Sequence, residues 1–323
     1  MANPTTVPAG ATVADVGEFG LVRAFVGRFE QGTSVYVGPG DDAAVLRAPR
    51  GHVVVSTDLL VEGRHFRREW AEAKDIGRRA AAQNLSDINA MGGRATALTV
   101  GLALPRDLSA QWVLDLADGI AEEAALVGAS IVGGDLTAGS EVVIAVTVIG
   151  QCEVAPVLRS GARPGDVLAM AGRQGWAAAG LAVLARGFRS PRKLVEAHQR
   201  PQPPYDAGPA AAAGGATSMI DVSDGLVADV GHLADDSGVS IDIDSSAFPL
   251  DEPLQAVGAA LGVDPMQFVL GGGEDHPLVA TFPAGVALPD GFRPIGRVSQ
   301  AGDGPAVTVD GTAYEGSPGH THF

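Results

Sequence analysis

The chain has 323 residues, with 22 Lys plus Arg against 38 Asp plus Glu, a formal net charge of −16 and a sequence pI near 4.7. Hydrophobic residues at 46% and charged residues at 19% supply enough apolar side chain for a core, which excludes disorder throughout. The negative charge, with no dense basic patch, argues against non-specific binding to nucleic acid; the one cysteine, Cys152, excludes a disulfide framework and a cysteine-rich zinc site.

Residues 1–17 are rich in Pro, Thr, Ala and Gly and read as a flexible tail without the pattern of a signal peptide. No apolar run of about 18 residues follows, so the chain reads as soluble and cytoplasmic, with no membrane partner. Phe19, Val22, Phe25, Val26 and Phe29 recur at helical spacing and predict a helix over residues 18–29. Strands are predicted at 34–37, 43–46 and 52–57, then a helix over 74–91 that Gly92 and Gly93 end. A strand over 95–104 stops at Pro105, and Ser109 caps a helix running to Val127. Strands at 130–132 and 141–149 follow, the second rich in Val and Ile as a buried strand is. A boundary falls between Gly150 and Arg163. Beyond it come a strand at 166–171, an Ala-rich helix at 176–185 and a loop at Pro201, Pro203 and Pro204. Small residues over 207–220 read as a helix and loop, before a strand at 219–222 and a helix at 226–236. Strands at 239–243, 276–282 and 292–298 complete the pattern. Alternation in both halves predicts two domains of the α/β (α+β) class, residues 18–152 and 153–323.

Acidic residues gather at the predicted strand ends, beside Gly, Ser or Thr. They stand in Gly40-Asp41-Asp42, Ser56-Thr57-Asp58, Gly133-Gly134-Asp135 and Asp221-Val222-Ser223-Asp224-Gly225, while Asp87 shares a helix stripe with Gln83 and Asn84. Strand ends line the crevice where α/β proteins bind ligands. Two carboxylates about 4 Å apart repel by roughly 4 kcal/mol at an effective dielectric of about 20, so a cluster of them needs protons or cations. Oxygen donors without cysteine suit Mg²⁺. Each Asp taken alone reads equally well as a turn residue or helix cap.

The only lysines, Lys74 and Lys193, do not follow Gly, so the P-loop pattern is absent, as are the H-R-D and D-F-G elements of protein kinases. Any bound nucleotide phosphates would therefore depend on metal ions, an occasional Arg and the amides of Gly-rich turns. Gly38-Pro39-Gly40-Asp41-Asp42-Ala43, with Asp58 downstream, mimics a dinucleotide fingerprint. Only residues 44–48 separate that turn from Pro49, too few for the helix of a βαβ unit.

Taken together, the motifs resemble those of the thiamine-monophosphate kinases, within the superfamily of aminoimidazole ribonucleotide synthetase. They are Gly17-Glu18-Phe19, Gly38-Pro39-Gly40-Asp41-Asp42-Ala43-Ala44, Ser56-Thr57-Asp58 with Gly63-Arg64-His65-Phe66, and Asn84-Leu85-Ser86-Asp87 with Ala90-Met91-Gly92. Further on come Gly133-Gly134-Asp135-Leu136-Thr137, Arg159-Ser160-Gly161-Ala162-Arg163-Pro164-Gly165-Asp166, Ile220-Asp221-Val222-Ser223-Asp224-Gly225-Leu226 and Gly271-Gly272-Gly273-Glu274-Asp275. The resemblance implies transfer of the γ-phosphate of ATP onto thiamine monophosphate, the last step of thiamine diphosphate formation. It implies a homodimer paired through the N-terminal domain, a C-terminal domain closing the site, and several Mg²⁺ ions. Carried over motif by motif, metal ligands fall on Asp42, Ser56, Thr57, Asp58, Asp87, Asp135, Asp221 and Asp224. Nucleotide contacts fall on Gly134, Asp135, Arg159 and Ser223, and substrate contacts on His65, Glu274 and His320.

Alternatives remain at single residues: a surface histidine for His65, a cap or turn for Glu274, a solvated charge for Arg159. Two departures touch the substrate side. His320 in Gly319-His320-Thr321-His322-Phe323 stands where the family has an aromatic, and His276 stands where it has Tyr. The rival selenium-dependent and hydrogenase-maturation members carry a cysteine near the N-terminus or in the tail, and this chain has neither. A non-enzymatic cation-binding protein would leave Gly134, Arg159 and Ser223 unexplained.

Overall fold

The computed structural model describes residues 7–37, 45–46, 52–304 and 306–320. The chain divides into two compact units, one of Met1–Ile88 with Arg94–Gln151 and the other of Asn89–Gly93 with Cys152–Phe323.

The first unit begins with α1 (Val13–Val16), part of the segment expected as a flexible tail. Thr12 and Asp15 form a capping box, each side chain accepting from the other's backbone N–H. Val13 N donates to Leu108 O and Ala110 N to Ala11 O, which ties the segment down. Then come α2 (Glu18–Val26), β1 (Val35–Val37), β2 (Val45–Leu46), β3 (His52–Val61) and α3 (Ala73–Ala90). They are followed by β4 (Arg94–Leu104), α4 (Ala110–Leu126), β5 (Ser130–Ala138) and β6 (Val143–Cys152). β1 and β2 pair with each other, and the main sheet has the order β3-β6-β4-β5, with β4 antiparallel to β6 and parallel to β5.

Alternation assigns the two faces of this sheet. Ile144, Val146 and Val148 are buried, and α3 lies over Ser56 and Asp58 of β3. On the opposite face of β3, Val53, Val55 and Leu59 remain 54%, 61% and 55% exposed. Helices α3 and α4 meet backbone to backbone. A Cβ on Gly77 would overlap the Leu116 carbonyl oxygen, and one on Gly119 would overlap that of Lys74.

The second unit comprises β7 (Val167–Ala171), α5 (Trp176–Ala185), α6 (Arg192–Gln199), α7 (Ala207–Ala213) and β8 (Ser218–Asp221). After these come α8 (Leu226–Ser237), β9 (Val239–Ile243), α9 (Glu252–Leu261), α10 (Met266–Leu270) and β10 (Leu278–Phe282). The unit ends with β11 (Phe292–Gln300), β12 (Val307–Val309) and β13 (Thr312–Ala313). The seven-stranded sheet runs β13-β12-β9-β11-β7-β10-β8. β10 is buried along its whole length. Ala169, Ala171, Leu278, Ala280 and Phe282 form one cluster with Ala207 and Ala211 of α7. Ala171 at the end of β7, Leu278 at the start of β10 and Asp221 at the end of β8 are paired in one row. The loops after β7, before β10 and after β8 therefore leave the sheet at the same edge.

Candidate functional site

In the first unit, β3 continues to Val61, so Ser56-Thr57-Asp58 lies inside a strand rather than at the end expected at Thr57. Successive strand residues face opposite ways. Ser56 Oγ donates to Asp87 Oδ2 at 2.5 Å, and the Asp58 N–H donates to Asn84 Oδ1 at 3.1 Å, both toward α3. Asn84 is in turn held by its Nδ2, which donates to Ala80 O at 2.9 Å. The Thr57 hydroxyl meets the Thr147 hydroxyl at 2.8 Å on the other face. The structure thus joins Ser56 to Asp87, sets Asp58 beside Asn84 on the same helix, and turns the Thr57 side chain away from both.

Gly133-Gly134-Asp135 also lies within a strand, because β5 extends to Ala138 instead of stopping at 132. Gly134 pairs with Val100 and Asp135 with Gly101. A Cβ on Gly134 would overlap the Val100 carbonyl oxygen, which is why this strand position carries glycine. Asp135 is exposed. His65 closes the turn after β3: its Nδ1 accepts the Val61 N–H at 3.0 Å, so the neutral ring carries its proton on Nε2. Asp42 lies outside the described residues.

In the second unit, three segments distant in sequence are laced together. The Glu274 N–H donates to Ser223 O at 3.0 Å, and the His320 N–H donates to Asp224 O at 3.0 Å. A Cβ on Gly273 would overlap Ser223 O, so the two loops run backbone against backbone. Asp221, Ser223, Asp224, Glu274 and His320 are thereby gathered at one edge of the sheet. Glu274 and His276 both adopt left-handed backbone, with φ of 71° and 52°. Non-glycine residues hold that conformation only where the surroundings enforce it, and such residues concentrate at functional sites. His276 Nδ1 lies 3.0 Å from Asp221 Oδ2, both side chains buried.

Arg159 is not gathered there. Its carbonyl accepts from Ser237 Oγ at the far end of α8, a helix of 12 residues and roughly 18 Å. Its residue is exposed.

Two buried carboxyls at this edge were not singled out as site residues in the sequence. Asp229 Oδ2 accepts the N–H groups of Asp224 and Gly225, both at 3.0 Å, and so fixes the turn that carries Ser223 and Asp224. Burial raises its carboxyl to about 7, and the charges of Asp221 and Asp224 add to the rise. The signal was available: an acidic residue in the first turn of a helix, able to take orphan N–H groups. Asp275 accepts the Ala177 N–H at 2.9 Å at the start of α5, and burial raises it to about 6.

Among the described residues, no three His, Cys, Asp or Glu side chains are grouped to hold a metal ion by themselves. The donors present are carboxylate and hydroxyl oxygens, and the Asp221, Asp224 and Glu274 carboxyls gathered at one edge call for positive charge. This fits a magnesium ion that takes one or two carboxylates from the protein and the rest of its ligands from phosphates and water.

Two family models match the chain: "AIR synthase related protein, N-terminal domain" over residues 40–152 and "AIR synthase related protein, C-terminal domain" over residues 163–275. The thiamine-monophosphate kinase of Mycobacterium tuberculosis is 49% identical over 315 residues, covering 97% of this chain and 93% of the relative. That of Corynebacterium glutamicum is 42% identical over 316 residues, covering 95% and 93%. A solved structure of AaThiL complexed with AMPPCP and TMP aligns with a TM-score of 0.78 at 32% identity, covering 98% of this chain and all of that one.

Proposed function

This chain belongs to the thiamine-monophosphate kinase family, and from that premise we propose that it transfers the γ-phosphate of ATP to thiamine monophosphate, forming thiamine diphosphate and ADP. An oxygen of the acceptor phosphate forms the new bond to the γ-phosphorus while the bridging oxygen to the β-phosphorus leaves with its electron pair. A phosphate monoester has its second pKa near 6, so near neutral pH the acceptor is already a dianion and needs no strong general base. The obstacle is repulsion between two anions.

In the first unit the residues that would hold magnesium are Ser56, Asp58, Asp87 and Asp135, with Asp42 and Thr57 as further candidates; in the second unit they are Asp221 and Asp224. Bound magnesium supplies charge neutralisation of the phosphate oxygens. Ser56 holds the Asp87 carboxylate in place, and Asn84 fixes the β3 backbone at Asp58. Asp229 holds the Ser223–Asp224 turn. Gly134, Arg159 and Ser223 are assigned to the nucleotide, and His65, Glu274 and His320 to the acceptor.

The exposed row Val53, Val55 and Leu59 suits burial against a second copy of the chain, so the working form is a homodimer. Among the described residues no helix is long and apolar enough to cross a membrane, and the reading places the enzyme in the cytoplasm with its ATP.

The near full-length likeness to curated kinases carries this proposal. Its test is ATP consumption and thiamine diphosphate formation with and without thiamine monophosphate, before and after EDTA. Acceptor-dependent turnover that EDTA abolishes and Mg²⁺ restores is expected. Metal binding without acceptor-dependent turnover would favour the non-enzymatic alternative.

A further inference from the structure

The loop between β7 and α5 carries a feature that the assignments above leave unused. It leaves the sheet at the edge where Asp221 and Glu274 stand, since Ala171, Leu278 and Asp221 share one row. Gln174, 5% exposed, donates from Nε2 to Val269 O at 2.8 Å and to Gly272 O at 2.5 Å. Asp275, 4% exposed, caps α5 through Ala177 and pairs with Arg173 across 3.6 Å. These ties lock the Arg173–Trp176 turn to the strained Glu274–His276 turn.

Arg173 lies with its guanidinium carbon 4.7 Å from the centroid of the Trp176 ring. Its side chain is 34% exposed, and its buried Nε makes no hydrogen bond among the described residues. The ring contact restrains the guanidinium before any ligand arrives, and the ion pair with Asp275, at 3.6 Å, is too long to use its donors. A restrained, partly exposed guanidinium with N–H groups to spare is the group best matched to a phosphate monoester. A carboxylate one residue from Asp275, that of Glu274, belongs to the same locked turn and suits the cationic end of a zwitterionic acceptor.

We propose that Arg173 binds the phosphate of the acceptor, and that Gln174 and Asp275 are positioning residues that keep Arg173 and Glu274 at one edge. This rests on the kinase reading, and binding separates the two claims. Calorimetry would compare thiamine monophosphate, non-phosphorylated thiamine and ATP on wild type, Arg173→Met and Arg173→Lys. Loss of charge-assisted hydrogen bonds should weaken thiamine monophosphate about 10–100-fold in Arg173→Met and less in Arg173→Lys. Thiamine and ATP should bind within about twofold of wild type, which also shows that the variants are folded. Gln174→Ala should weaken both thiamine and thiamine monophosphate, because it loosens the turn that holds Glu274. Unchanged affinity for thiamine monophosphate in Arg173→Met overturns the assignment. So does an equal loss for thiamine, which makes Arg173 structural, or a loss for ATP, which moves it to the donor. Wild type that binds thiamine monophosphate without turnover overturns only the kinase reading; wild type that does not bind it overturns both.

Discussion

Asp229→Asn isolates the electrostatic load at the start of α8. The carboxyl is 3% exposed, and burial, aided by Asp221 and Asp224, lifts it from 3.8 to about 7. Below pH 3.8 the folded and unfolded chains both hold the proton, and the group costs nothing. Between 3.8 and about 7 the unfolded chain releases it and the folded chain does not, so stability falls as pH rises. Above about 7 the loss is complete. Roughly three pH units at about 1.4 kcal/mol each set a ceiling of roughly 4 kcal/mol. Asparagine ends the titration and keeps an acceptor oxygen for the Asp224 and Gly225 N–H groups. It also brings two amide hydrogens into a buried place, at a cost of about 1–3 kcal/mol. The variant should therefore be less stable than wild type near pH 4 and more stable near pH 8, by roughly 1–3 kcal/mol. Urea unfolding in EDTA across that range checks it. The difference should climb by about 1.4 kcal/mol per pH unit and level off near pH 7. A difference that does not change with pH would refute the reasoning.

Asp87→Asn keeps the size of the Ser56 partner but removes its charge, and should lower turnover about 10²–10³-fold with the melting temperature nearly unchanged; an unaltered rate would take Asp87 out of the site. Gly134→Ala drives a methyl group into the Val100 carbonyl and should destabilise the first unit by about 1–3 kcal/mol, read as a lower urea midpoint. In solution the particle should weigh near twice 32.7 kDa, and Val55→Lys should shift it toward half that mass in sedimentation.

Much of the fold was legible because its strands are apolar runs bounded by Gly and Pro. The stretch predicted at 239–243 is the observed β9, and those at 95–104 and 219–222 fall within a residue of β4 and β8. Asp221 does end β8 as expected, and what failed was the reading of two other acidic motifs as strand ends. β3 and β5 run on through Asp58 and Asp135, because Ser, Thr and Gly do not break a strand that has a partner to pair with. Once Ser56-Thr57-Asp58 is a strand, its period of two forbids all three side chains from facing the same way. The helices α6, α9 and α10 were missed because they are short and lean on packing more than on an unbroken apolar stripe. The lacing of Ser223, Glu274 and His320 joins backbone groups far apart in the chain, and no local pattern announces such a pairing.

The backbone-to-backbone meeting of α3 and α4 acts as a hard stop. Side chains between helices form a compressible spacer that can re-rotamer to absorb a change; two glycines against two carbonyls leave no such spacer. Asp87 rides on the same rod as Gly77, ten residues or about 15 Å further along. Its height above β3 is thus gauged at a point well removed from any ligand. In a randomised library, Gly77 and Gly119 should tolerate almost nothing, while Lys74, which meets the crossing through its carbonyl and keeps its side chain half exposed, should vary widely. Scored by activity alone, the two glycines would pass for catalytic residues.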